Sequence, residues 1–333
     1  MTAFADMITL SRLSMYILHW CLAWSFGGPQ RALFDSLHIR ETWKAVRESG
    51  LSRRDAIVTV IDSGVATKQP DLVGKLLEGH DASGSPVASV EDMLGHGTMV
   101  TSIIAAGINN SIGIAGIADR VKIRPIRLTA TPRRGSSYEQ IEVAWDIANK
   151  FEDSDVIVFA SAGPFEQEAS VMYKRVITEA VKQGNFVVVA ASGSDDATGP
   201  AEVEIPCSMA NPMPGVVCVA ATLTSNPKVL LREASLLASF GVPGTEVWAA
   251  EIKDAFGNWT YDDGRGSSQA TAIVGGIAAL MQSFKKFKPD VIKEMLLNAT
   301  EGKIRTARGV EMLYGVLRPD LAVKRAIKLA RRH

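Results

Sequence analysis

No sign of charge predominates in this chain: 36 Lys and Arg stand against 36 Asp and Glu over 333 residues. A balanced surface has no global field with which to recruit nucleic acid or anionic lipid. The basic pairs Lys324-Arg325 and Arg331-Arg332 read as a solvated helix face. Long apolar runs are missing too. The run from Leu13 to Phe26 is too short for a stable membrane span, and His19 interrupts it. Internal repeats, low-complexity blocks and interdomain linkers are absent, which leaves one domain and a monomer as the expectation. Cysteine is scarce, at three residues. What is present, 47% hydrophobic and 22% charged residues, suits a chain that buries one large core.

Near the N-terminus, Arg12 precedes the apolar run, and Gly27-Gly28-Pro29 follows it. That order matches the n-region and h-region of a signal peptide, so residues 1–30 are expected to be a leader and the protein to be secreted. An amphipathic N-terminal helix packed on the domain is the other reading. Removing the leader would take Cys21 with it and leave Cys207 and Cys218, which flank a loop rich in Pro and Gly. The pair reads either as a bridge formed in an oxidising compartment or as two buried thiols.

From there on, strand-like and helix-like stretches alternate. Strand-like runs at 57–61, 121–128, 156–160, 186–191 and 216–221 predict strands. Helical patterns cover 97–107, 137–150, 170–183, 268–285, 288–301 and 319–330. Strand-like runs alternating with helices point to an α/β fold. Its central sheet is mostly parallel, with helices on both faces.

Three short segments carry chemistry: Ile61-Asp62-Ser63-Gly64, Gly95-His96-Gly97-Thr98-Met99-Val100 and Gly266-Ser267-Ser268-Gln269-Ala270. A hydroxyl becomes a nucleophile at neutral pH when an imidazole takes its proton and a carboxylate orients the imidazole. Asp62, His96 and Ser268 supply one of each, separated by 34 residues (96 − 62) and 172 residues (268 − 96), so only tertiary structure can unite them. Singly, an Asp after a strand is a turn former, Gly-His-Gly a loop and Ser-Ser an N-cap. Jointly, and in this order, they resemble the subtilisin family of serine proteases, from about Ala32 to Ala330.

That resemblance implies a three-layer α/β fold over residues 31–330, with a mostly parallel sheet. It implies a serine endopeptidase acting on peptides or proteins through Asp62, His96 and Ser268. It also implies an extended substrate added as a strand along Gly135-Ser136 and Ala160-Ser161-Ala162-Gly163. Ile108-Asn109-Asn110-Ser111-Ile112-Gly113-Ile114 resembles the family's calcium loop, and Asp71 matches its carboxylate ligand. Asp71, the Asn110 amide and the carbonyls of Ile108, Ile112 and Ile114 would hold a structural Ca2+. An Asn-rich turn without an ion is the alternative.

Departures from the family gather at the cleft. Ser194 stands where an Asn amide usually stabilises the oxyanion, with Asp195 and Asp196 directly after it. Ala272 replaces the Pro four residues past the nucleophile, and Ala249-Ala250-Glu251 stands where a turn beside the first pocket is expected. A shorter donor at Ser194 weakens the oxyanion hole, so a catalytically impaired homologue that binds peptides or partners is the rival reading. An unrelated α/β hydrolase is disfavoured, because no Gly-x-Ser-x-Gly elbow surrounds Ser268.

Overall fold

The alternation of buried side chains along the central strands creates two packing faces, and both are covered. In the computed structural model, residues 28–129, 136–191, 204–231, 238–305, 309 and 311–332 are described. The strands are β1 (Ala56–Asp62), β2 (His80–Asp81), β3 (Val121–Arg127), β4 (Val156–Phe159), β5 (Gly163–Pro164), β6 (Phe186–Ala190), β7 (Glu204–Ile205), β8 (Val216–Thr222), β9 (Phe240–Pro243), β10 (Val247–Lys253), β11 (Trp259–Gly264), β12 (Thr300–Glu301) and β13 (Val316–Leu317). The helices are α1 (Arg31–Ser36), α2 (Ile39–Glu48), α3 (His96–Ala105), α4 (Tyr138–Ala148), α5 (Gln167–Lys182), α6 (Ser267–Phe284), α7 (Pro289–Leu297) and α8 (Pro319–Ala330).

The main sheet runs β12-β13-β9-β8-β6-β4-β1-β3-β2. Its pairings are parallel except β12 with β13. Val156 and Val158 of β4, Val188 of β6 and Val217 and Val219 of β8 face one core, together with α2, α3, α6, α7 and α8. Ile157, Phe159, Val187, Val189, Val216 and Cys218 face the other, beneath α4 and α5. The result is the expected three-layer α/β architecture. Side chains such as Phe159 and Phe186 are fully buried, and each contributes about 2–3 kcal/mol of hydrophobic stabilisation.

Local sequence explains where the elements begin and how close they come. Ser137 and Gln140 form a reciprocal capping box that starts α4. Helix α6 is built of small apolar residues, and 269–283 are all buried. A methyl added at Gly275 would come 2.6 Å from Val158 Cγ2, and one at Gly276 2.6 Å from Ile117 Cβ. Gly275 therefore lets α6 lie directly against β4, and Gly276 lets it close on the loop before β3. That contact fixes the start of α6, where Ser268 sits.

Helix α7 ends at Leu297 rather than continuing to 301 as its periodicity predicts, because Thr300 and Glu301 pair with Leu317 and Val316. Ala249-Ala250-Glu251, which depart from the turn motif of the resembled family, form no turn here. These residues belong to strand β10, held against β11 through the Ala249↔Asp262 and Ala250↔Tyr261 pairs. Cys207 and Cys218 form a disulfide with their Cα atoms 5.1 Å apart, which decides between the two readings of that pair. Among the described residues no helix is long and apolar enough to cross a membrane.

Candidate active site

Strand β1 ends in Asp62, at the carboxyl edge of the sheet between β3 and β4. Helix α3 begins with His96, following Gly95 in a left-handed conformation at φ 89°. His96 Nδ1 lies 2.7 Å from Asp62 Oδ1, which also accepts the Ser63 backbone N–H at 2.7 Å. A carboxylate partner at Nδ1 fixes the ring as a donor there and leaves the Nε2 lone pair available.

The approach of the two segments is a backbone matter. A methyl at Gly97 would fall 2.1 Å from the Gly64 carbonyl oxygen, and one at Gly64 would fall 2.4 Å from the Val90 carbonyl oxygen. Gly64 itself has φ 110°. Two residues lacking side chains thus permit the contact that brings Asp62 and His96 together.

Asp92 completes this framework, and the sequence reading missed it. Buried at 4% exposure, its Oδ1 accepts from Ser63 Oγ, Leu94 N–H and Gly95 N–H, each at 2.9 Å. Its Oδ2 accepts from Thr98 N–H and Thr98 Oγ. Ser63 Oγ in turn accepts the Gly97 N–H at 2.8 Å. Asp92 therefore satisfies the orphan N–H groups at the start of α3 and ties them to the end of β1. The available signal was an Asp a short step before Gly-His-Gly-Thr, a capping position for the helix that His96 opens.

Ser268 occupies the second position of α6, after Gly266 at φ 151°. Its Oγ donates to the Ala160 carbonyl at 3.1 Å, just past the end of β4, which neighbours β1. Among the described residues its hydrogen bond goes to Ala160, and none links it to His96. The Asp62–His96 pair and the Ser268–Ala160 bond thus lie at the carboxyl ends of two adjacent parallel strands, the region where open α/β sheets bind ligands.

Burial alone would lower the His96 pKa. The charge and hydrogen bond of Asp62, with the charges of Asp92 and Glu251, outweigh burial and raise it above the ordinary 6.5. The His96 ring is partly open to solvent, with 42% of its side chain exposed, so a substrate can reach it.

Of the expected substrate strand, Ala160 is buried and Ser161 is exposed. Gly163 pairs antiparallel with Ile205. Ser136 lies just before Ser137, the N-cap of α4. Gly135, Ser194 and most of the 1–30 leader lie outside the described residues.

Asp71 and Asn110 do meet. Asn110 Nδ2 donates to Asp71 Oδ1 at 2.6 Å, and the Ile114 N–H donates to Oδ2 at 2.8 Å. Asp71 is 1% exposed, and burial pushes its pKa up to about 6 against the lowering effect of these bonds. It is a desolvated carboxylate answered by neutral donors. Carboxylate, amide and carbonyl oxygens are the donor types calcium takes, and here both Asp71 oxygens accept N–H groups instead. Binding would need the Asn110 amide to turn its oxygen toward the carboxylate. Among the described residues no cluster of three or more His, Cys, Asp or Glu is placed to hold a metal.

The Subtilase family profile matches residues 53–316. Subtilisin E of Bacillus subtilis is 30% identical over 241 residues, which cover 72% of this chain and 58% of the relative. Thermitase of Thermoactinomyces vulgaris is 27% identical over 256 residues, covering 77% of this chain and 81% of the relative. Among solved structures, a protease from Pseudoalteromonas arctica gives a TM-score of 0.72 at 22% identity, over 87% of this chain and 94% of that one. Fervidolysin from Fervidobacterium pennivorans gives 0.69 at 22% identity, over 88% of this chain and 45% of that one. These two likenesses concern the fold. The chain spans 58% of the length of Subtilisin E.

Proposed function

Because the chain belongs to the subtilase family, we propose that it is a serine endopeptidase, in which Ser268 is the nucleophile, His96 the general base and Asp62 the residue that orients it. The observation that carries this reading is the 2.7 Å contact between His96 Nδ1 and Asp62 Oδ1 at the sheet edge where Ser268 also lies. With Nδ1 engaged, Nε2 is the atom that takes the Ser268 proton. Rotation of Ser268 about χ1, away from Ala160, delivers Oγ to it. The alkoxide attacks the peptide carbonyl, and His96 returns the proton to the leaving amine. Asp62, Asp92 and Glu251 favour the imidazolium that exists between those two transfers.

The developing oxyanion would be met by the Ser268 N–H at the start of α6, where the helix dipole also favours negative charge. Ser194 would be the second donor. Its hydroxyl reaches less far than an amide, and loss of one such donor costs about 10² to 10³ in turnover. Substrate would bind as an added strand along Gly135-Ser136 and Ala160-Gly163. Calcium, held by Asp71, Asn110 and the carbonyls of Ile108, Ile112 and Ile114, would neutralise the buried charge of Asp71 and rigidify its loop. The Cys207–Cys218 bridge and the apolar run after Arg12 support secretion.

The test is covalent labelling with a fluorophosphonate. Labelling should require both Ser268 and His96; if Ser268→Ala or His96→Ala leaves it intact, the assignment is wrong. A second reading, an impaired homologue that binds peptides without cleaving them, is favoured by Ser194 and by the Ser268 bond to Ala160. Ser194→Asn separates the two, because a large gain in hydrolysis shows a competent scaffold limited by one donor.

A further inference from the structure

We propose that Glu251 is a positioning residue of this site, placing a carboxylate against Gly95, the residue before His96, that sets the pH range over which His96 can accept a proton. The inference rests on the role of His96 given above. Nothing in the sequence marked Glu251 for this role, because it lies 155 residues (251 − 96) beyond His96.

Strand β10 is fastened to α3 and to the segment that follows β1. The Ala250 N–H donates to Ser102 Oγ at 2.9 Å, and Gln69 Nε2 donates to the Glu251 carbonyl at 3.0 Å. Gln69 is itself fully buried. The backbone at Glu251 is therefore fixed against the helix that His96 begins. Its side chain lies over Gly95: a methyl there would sit 2.9 Å from Glu251 Oε2. The missing side chain of the residue preceding His96 is what makes room for the carboxylate.

The charges around the pair are almost all of one sign. Acting on His96 are Asp62 from β1, Asp92 from the loop before α3, and Glu251 from β10. Acting on Glu251 are Asp262 from β11, Asp92 and His96, and His96 is the one cationic group among them. Burial is the largest cause raising Glu251 above its ordinary 4.5. Asp62 and Asp92 have N–H and O–H donors against their oxygens. No hydrogen bond or ion pair is found for the Glu251 carboxylate among the described residues, so no local donor there answers its charge.

The effect has two signs. A third carboxylate stabilises the imidazolium, which helps the step in which His96 carries the Ser268 proton. The same charge keeps resting His96 protonated to a higher pH, which moves the acid limb of the rate profile upward.

The experiment measures the His96 titration midpoint by NMR of its ring proton, with the acid limb of kcat/KM in parallel, for the full chain and for Glu251→Gln and Glu251→Lys. Both variants should fold, since no hydrogen bond to the side chain is lost. Glu251→Gln should lower the midpoint and the limb by about half a pH unit at low salt, Glu251→Lys by about twice that, and 1 M salt should shrink both shifts. A purely structural role would change stability or the plateau rate and leave the midpoint alone. Folded variants with a midpoint within about 0.1 unit of the parent would overturn the proposal. A midpoint that moves as described in a protein that hydrolyses nothing would uphold it and overturn the peptidase reading instead.

Discussion

Gly97→Ala tests whether backbone contact between two glycines is what joins Asp62 to His96. The added methyl would start 2.1 Å from the Gly64 carbonyl oxygen and 3.0 Å from the Gly64 nitrogen. The nearest atoms are backbone, so neither can rotate away, and the two segments must part by about 1 Å to restore a normal contact. Directed along the His96 to Asp62 line, that parting takes a 2.7 Å hydrogen bond beyond bonding range. Misplacement of this size costs about 10² in kcat/KM. Overpacking costs about 1–3 kcal/mol, partly offset by up to about 1 kcal/mol from replacing Gly with Ala in a helix. The net loss lowers Tm by at most roughly 6 °C for a chain of this size. Kinetics on a peptide substrate, fluorophosphonate labelling rates and thermal unfolding together read the outcome. Activity should fall far more than stability; kcat/KM within about threefold of the parent with Tm unchanged would refute the reasoning.

Asp62→Asn should lower kcat by about 10⁴ with little change in KM, because an amide at Oδ1 permits the wrong imidazole tautomer; single-turnover acylation rates check it. The bridge closes a loop with a sequence separation of 11, so Cys207→Ser with Cys218→Ser should cost about 2–3 kcal/mol. Thermal melts of the double variant would show this, and an unchanged Tm would mean the bridge adds nothing. Chelation should lower Tm by an amount matching about 2.7 kcal/mol if calcium was present at a hundredfold above its Kd. Asp71→Asn should abolish that sensitivity, and a chelator effect that survives the substitution would place any ion elsewhere.

Much of the fold is written locally. Strands β1, β3, β4, β6 and β8 fall within about a residue of the runs that predict them, and β4, β6 and β8 show why: a strand buried on both faces is apolar along its length. The capped and amphipathic helices α4, α5 and α8 are legible for the same kind of reason. The short strands β9, β12 and β13 carry no such pattern. They exist because the ends of longer elements bring their backbones into pairing distance.

At the candidate site, the sequence by itself named Asp62, His96 and Ser268 through the residue types and their flanks. It left the pairing of Cys207 with Cys218 open, and it marked Ala249–Glu251 only as a departure from a family turn. Only tertiary structure decided that Ser268 Oγ rests on the Ala160 carbonyl, that Asp92 ties β1 to α3, and that β10 carries Glu251 to Gly95. Periodicity and capping are properties of neighbours along the chain. Hydrogen bonds and fields at the site join residues scores of positions apart, and those distances are set by how the layers pack.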